Sequence, residues 1–202
     1  MSAAPTWQAL LDWWFGDALR ASDVAAQRNG LWFGKSACED VASDNRFGGL
    51  VRQALDGGLA DWAGSAQGWL ALILLLDQLP RMIFRDTPRA YDGDARAQAL
   101  VRRGLAAGLD RQLQPIERVF VYLVLEHAED LAQQEQAVQH FAELHEQAAE
   151  DDKALFADFL DYAERHRAVV ARFGRFPHRN AILGRESSAE EVAFLKEPGS
   201  RF

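Results

Sequence analysis

Trp69-Leu-Ala-Leu-Ile-Leu-Leu-Leu76 decides the fold, and Asp77-Gln-Leu-Pro-Arg81 follows it directly. The run is apolar on nearly every side, so it belongs in an interior rather than on a surface. A run this short also fits a buried strand. Leucine richness over β-branching, and the helical periodicity on both sides, favour a buried central helix capped near Ser65 and ended by Pro80.

Upstream, residues 7–15 place Trp7, Leu10, Leu11 and Trp14 on one helical face, with Thr6 as N-cap and Gly16 as stop. A connecting segment then passes through Asn29-Gly30. Ser36 stands three residues before Glu39, the spacing of a capping box, and opens a helix to about Leu55 that Gly48-Gly49 weakens internally. Downstream, helices are expected over about 92–107, from Pro115 through an apolar run to Leu125, over 129–147 and over 152–173, with Gly174 after the last. Ser187-Ser-Ala-Glu190 signals one more short helix, and residues 196–202 are expected to fray. No convincing alternating strand appears, so the chain reads as all-α, built of antiparallel helix pairs in a single domain over residues 1–202.

The bulk properties narrow the function classes. A net charge of −8 argues against a protein that coats nucleic acid. The lone Cys38 allows neither an intrachain disulfide nor a cysteine-based zinc cluster. The N-terminus carries no export-signal pattern, and no apolar run reaches the roughly 18 residues of a membrane span. A cytoplasmic protein without membrane association is expected.

Chemistry concentrates in three places. Asp77 ends the apolar run and needs a cationic partner, either Arg81, from which Pro80 separates it, or a group from elsewhere. Glu126 and His127 end the second apolar run, and Asp130 lies four residues beyond Glu126, so two carboxylates would share a face if the helix continued. Residues 172–180 gather Arg172, Arg175, His178 and Arg179 with Phe173, Phe176 and Asn180. The simplest account is an ion-pair network that fixes helix ends. Arg175, His178, Arg179 and Asn180 nevertheless offer more donors than Asp77, Glu126 and Asp130 obviously require, and the surplus suits an anion. His166 lies on an apolar stripe and reads as a core histidine, whereas His140 and His145 fall on a polar helix and read as solvated. Metal-ligand motifs, nucleophile elbows and phosphate loops are missing, so neither a metal nor a cofactor is expected.

These blocks resemble a known family. Leu11-Asp-Trp-Trp-Phe-Gly16, Leu70-Ala-Leu-Ile-Leu-Leu-Leu-Asp-Gln-Leu-Pro-Arg81, Glu117-Arg-Val-Phe120, Leu125-Glu-His-Ala-Glu-Asp-Leu131 and Arg172-Phe-Gly-Arg-Phe-Pro-His-Arg-Asn180 are similar to the bacterial domain of unknown function DUF924. The resemblance implies a tetratricopeptide-like α-α superhelix and no established activity. The chain departs from the family pattern at Met82, where a polar residue such as Asn follows Pro-Arg, and at Asp86, where Gly is usual.

Three functional expectations result. The first is a helical binding protein whose polar pocket, lined by Asp77, Arg81, Arg175, His178, Arg179 and Asn180, takes an anionic small molecule or a peptide carboxylate. The second is an acid/base enzyme of hydrolase or transferase type, with His127 or His178 as acid or base beside Glu126 and Asp130, and Arg175 or Arg179 stabilising negative charge. The third is an interaction module that uses an exposed, tryptophan-bearing first helix.

Overall fold

The computed structural model describes residues 7–200. Thr6, read as an N-cap, lies outside them. Among the described residues there are ten α-helices, five short 3-10 turns and no strand. The α-helices are α1 (Gln8–Phe15), α2 (Ala21–Phe33), α3 (Ala37–Leu55), α4 (Ala66–Leu76), α5 (Gln78–Ile83), α6 (Asp94–Ala106), α7 (Pro115–Glu126), α8 (Leu131–Gln147), α9 (Lys153–Phe173) and α10 (Ala189–Phe194). No described helix is long and apolar enough to cross a membrane.

The capping chemistry explains most of the boundaries. Ser65 accepts from the Gly68 amide at 3.1 Å to open α4, and Gln114 and Glu117 form a reciprocal capping box at α7, with Pro115 at its first position. Asp130 accepts from the Gln133 amide at 2.9 Å and starts α8, while Gly174, at φ 69°, closes α9 in the left-handed conformation that glycine adopts without strain. α2 was read as a connection. Its buried residues, Ala21, Val24, Ala25 and Trp32, make too sparse a stripe to announce a helix, and Gly30 lies within it.

α4 is the central element. Every residue from Gly68 to Leu76 is buried, and the helix packs against α1, α3, α5, α6 and α7. Trp69 donates its indole N–H to the Leu100 carbonyl at 3.1 Å, which ties α4 to α6 and leaves no orphaned polar atom in that contact. From α6 onward, consecutive helices lie against one another in the order α6, α7, α8, α9, an arrangement that fits stacked helix pairs.

Two expectations are corrected. The first helix is no exposed tryptophan surface: Trp14 is buried, its ring lies 5.3 Å from Phe120, and its carbonyl accepts from the Trp32 indole at 3.0 Å. Pro80 does not end the apolar helix. α4 stops at Leu76, and Pro80 falls in the first turn of α5, where its missing N–H leaves no helical bond unmade. Of the tail expected to fray, Arg201 and Phe202 lie outside the described residues; before them the Ser200 amide stands 3.3 Å from the Glu197 carbonyl and Ser200 is buried. Asp86 adopts φ 59°, the left-handed region that accounts for the glycine expected there from the family pattern.

Candidate functional site

The α4–α5 junction, the end of α7 and the turn after α9 converge on one polar cluster. Asp77 sits between α4 and α5, 1% exposed. His127 Nδ1 lies 2.9 and 3.0 Å from its two carboxylate oxygens, and the Gln78 side-chain amide donates to Oδ2 at 2.7 Å. Because Arg81 follows one turn of α5 later, its guanidinium donates to the Asp77 carbonyl at 2.6 Å and stands 3.1 Å from Oδ1. Its other contact is a two-pronged pair with Asp94 at 2.9 and 3.0 Å.

Burial alone would raise the Asp77 carboxyl, but the adjacent Arg81 charge and the His127 contact hold it well below the usual carboxylate range. Burial together with the Arg81 and Arg179 charges pushes His127 below its ordinary value, against the pull of Asp77. We therefore assign an ionised Asp77 and a neutral imidazole at neutral pH, with Nδ1–H donating to Asp77. That leaves the Nε2 lone pair as the available one, the division of labour an acid/base histidine needs.

Arg179 closes the cluster. It is 6% exposed and lies between the rings of Tyr91 and Phe176, 4.9 and 4.5 Å from their centres. One terminal nitrogen donates to the His127 carbonyl at 3.0 Å, whereas Nε finds no hydrogen-bond partner among the described residues. The Asp94 carboxylate is 3.8 Å away and already paired with Arg81. Burial, then the neighbouring Arg81, lowers Arg179 to about 10, so it remains a cation. His178 stands beside it and is lowered to about 4 by burial, then by the Arg179 and Lys35 charges.

A second, deeper pair lies behind. Glu126, 2% exposed, has Oε1 3.0 Å from His166 Nδ1, which also donates to the Tyr162 carbonyl at 2.8 Å. Burial, then the Asp77 charge, pushes Glu126 up to about 8, and burial takes His166 down to about 3. The two are neutral partners at neutral pH rather than an ion pair.

The structure thus brings together Asp77, Arg81, Glu126, His127, His178 and Arg179, and separates the other residues singled out in the sequence. Asp130 caps α8 because the helix breaks after Glu126, so the two carboxylates never share a face. Arg175 turns away and donates to Glu191 at 2.7 and 2.8 Å, where its hydrogen bonds hold that carboxyl near 2. Asn180 bonds Ser187 and Arg185, and Arg185 in turn pairs with Glu129 at 2.6 and 2.8 Å. Half of the basic stretch is therefore a clasp for α10 and the α7–α8 turn. Asp94 and Tyr91 went unnoticed in the sequence; the only local signal is Asp92-Gly93 before a helix start. His140, expected to be solvated, instead stacks on Tyr122 at 4.4 Å. Among the described residues, no group of three His, Cys, Asp or Glu side chains is arranged to hold a metal ion.

The family model for a bacterial protein of unknown function, DUF924, matches residues 10–199. The chain belongs to the DUF924 family. A solved structure, a protein of unknown function from Agrobacterium tumefaciens, is 36% identical, with a TM-score of 0.71, over 87% of this chain and 98% of that one. No curated protein matches the chain. Membership in DUF924 brings the architecture and a bacterial family with it, and leaves the chemistry to be argued from the cluster itself.

Proposed function

We propose that the protein binds an anionic small molecule or a peptide carboxylate at the Arg179–His127 edge of the polar cluster. The supporting observation is the Arg179 guanidinium, nearly buried and cationic, with its Nε lacking a partner among the described residues and the Asp94 carboxylate committed to Arg81. A buried donor left unsatisfied costs about 1–3 kcal/mol, more for a charged group, and an oxyanion at this edge would recover it. The concavities of about 380 and 440 Å³ lie against α6, α7 and α8 and share no residue with this cluster. The group that a buried guanidinium N–H calls for is an oxyanion, whether a small anion or the end of a chain.

The second reading is acid/base chemistry on that bound anion. The Asp77–His127 dyad favours it, with a buried carboxylate orienting a neutral imidazole and leaving Nε2 for proton transfer. Arg175 has no part in either reading.

One set of measurements tests both. Thermal shifts are recorded with acetate, succinate, inorganic phosphate and a short peptide bearing a free C-terminus. An anion at a hundred times its Kd adds about 2.7 kcal/mol, or roughly 5–10 °C for a protein this size. Arg179→Gln and the gentler Arg179→Lys should lose the shift, whereas His127→Gln should keep it and lose any ester or phosphoester turnover. Equal shifts in wild type and both Arg179 variants would refute the binding site; turnover retained by His127→Gln would refute the dyad.

A further inference from the structure

A separate concavity of about 380 Å³ opens between α7, α8 and the turn at Asp110–Gln112, and runs into a second lobe of about 440 Å³ against α6. Its back wall is a stacked pair: the His140 ring lies 4.4 Å from the Tyr122 ring at an interplanar angle of 9°. The Tyr122 hydroxyl donates to the buried Asp110 carboxylate at 2.9 Å, so that part of the wall is internally satisfied. His140 is not. Both of its ring nitrogens are buried without a hydrogen-bond partner among the described residues, and the nearest acid, Glu143, stands 3.6 Å from Nδ1, too far for a hydrogen bond.

An imidazole ring offers two nitrogens, which suits a ligand with more than one hydrogen-bonding group. The rim supplies the rest of the recognition. Arg111 and Arg118 line the first lobe and Arg102 the second, against the two carboxylates of Asp110 and Glu143. Arg118 is partly spent on the Leu113 and Arg111 carbonyls. Three guanidiniums against two acids leave an excess of positive charge for an oxyanion, while the acids accept from hydroxyl groups.

We propose that this groove is a second binding site, independent of the Asp77–Arg179 cluster, for a small oxyanion that also carries hydroxyl groups. The anion takes Arg111, and the His140 ring turns one of its buried nitrogens toward the ligand, whose hydroxyl faces Glu143.

Isothermal titration of the intact protein with glycerol 3-phosphate and with malate separates a phosphate from a carboxylate source, and imidazole nitrogen NMR locates the event at His140. The expected result is saturable binding of at least one probe, with the His140 signals moving. Affinity should fall at least tenfold in His140→Phe, which keeps the stack on Tyr122 and removes the nitrogens, and in Arg111→Gln, which alters an exposed side chain. Because the Arg179 cluster would also take a small anion, the His140 nitrogen shifts, and not the total heat, are the readout that distinguishes this groove from the other cluster. The proposal is overturned if neither probe gives heat or moves His140, leaving only water in the groove, or if both variants bind as wild type does.

Discussion

Asp77 shows how one residue can be read in the sequence yet misplaced. An acid directly after an unbroken apolar run signals a buried charge in want of a cation; Arg81 supplies that cation, and the neutral His127 adds an N–H donor. The reading failed on Pro80, since a proline breaks a helix only in its interior and this one stands in a first turn. Replacing Asp77 by Asn keeps the shape and removes the charge that Arg81 and His127 face. Removing one partner of a buried pair costs about 3 kcal/mol, with Asp94 left as the remaining carboxylate on Arg81. Urea denaturation at pH 7 should show that loss, accompanied by a fall in Tm of roughly 6–12 °C. An Asn variant as stable as wild type would mean that Asp94 alone suffices for Arg81.

At the scale of elements, the long helices were legible because periodicity and caps agree, as in α7, α8 and α9. α2 was missed because its helical propensity has no matching apolar stripe. The approach of α6 to α4 was also hidden, since it depends on a space rather than a side chain. A Cβ at Gly93 would lie 2.1 Å from the Leu76 carbonyl oxygen, a backbone atom that cannot step aside. That closeness sets Asp94, the next residue, within reach of Arg81. Gly93→Ala should therefore cost about 1–3 kcal/mol by overpacking and loosen the Asp94–Arg81 pair. Gly49→Ala is the control: its Cβ would meet open space inside α3, so the change should stabilise by up to about 1 kcal/mol. Thermal denaturation of both variants should move Tm in opposite directions, and a neutral Gly93→Ala would show that α6 can shift without consequence.

For the whole molecule, the buried titratable groups should set the pH at which the fold is most stable. No sequence pattern announces this, because it depends on which side chains of α7, α9 and the following turn end in the same interior. His127, His166 and His178 are all below their ordinary 6.5 in the folded state, the latter two at about 3 and about 4. The unfolded chain therefore binds more protons as pH falls below 6.5, and stability declines toward pH 4. Glu126 acts in the opposite sense. Its folded value, about 8, is above the ordinary 4.5, so its contribution is complete below 4.5 and is lost as pH rises through 8. Three histidines outweigh Glu126 below pH 6.5, and above it Glu126, raised further than the partly buried Glu117, dominates, which puts the maximum near pH 6.5. From there to pH 8 the wild type should lose about 2 kcal/mol. Glu126→Gln mimics the protonated carboxyl and carries no charge to release, so its stability should stay flat over that interval while the acid limb persists. Urea titrations at half-unit pH steps would decide it: parallel alkaline slopes in the two proteins would place the titrating group elsewhere, because the amide cannot ionise.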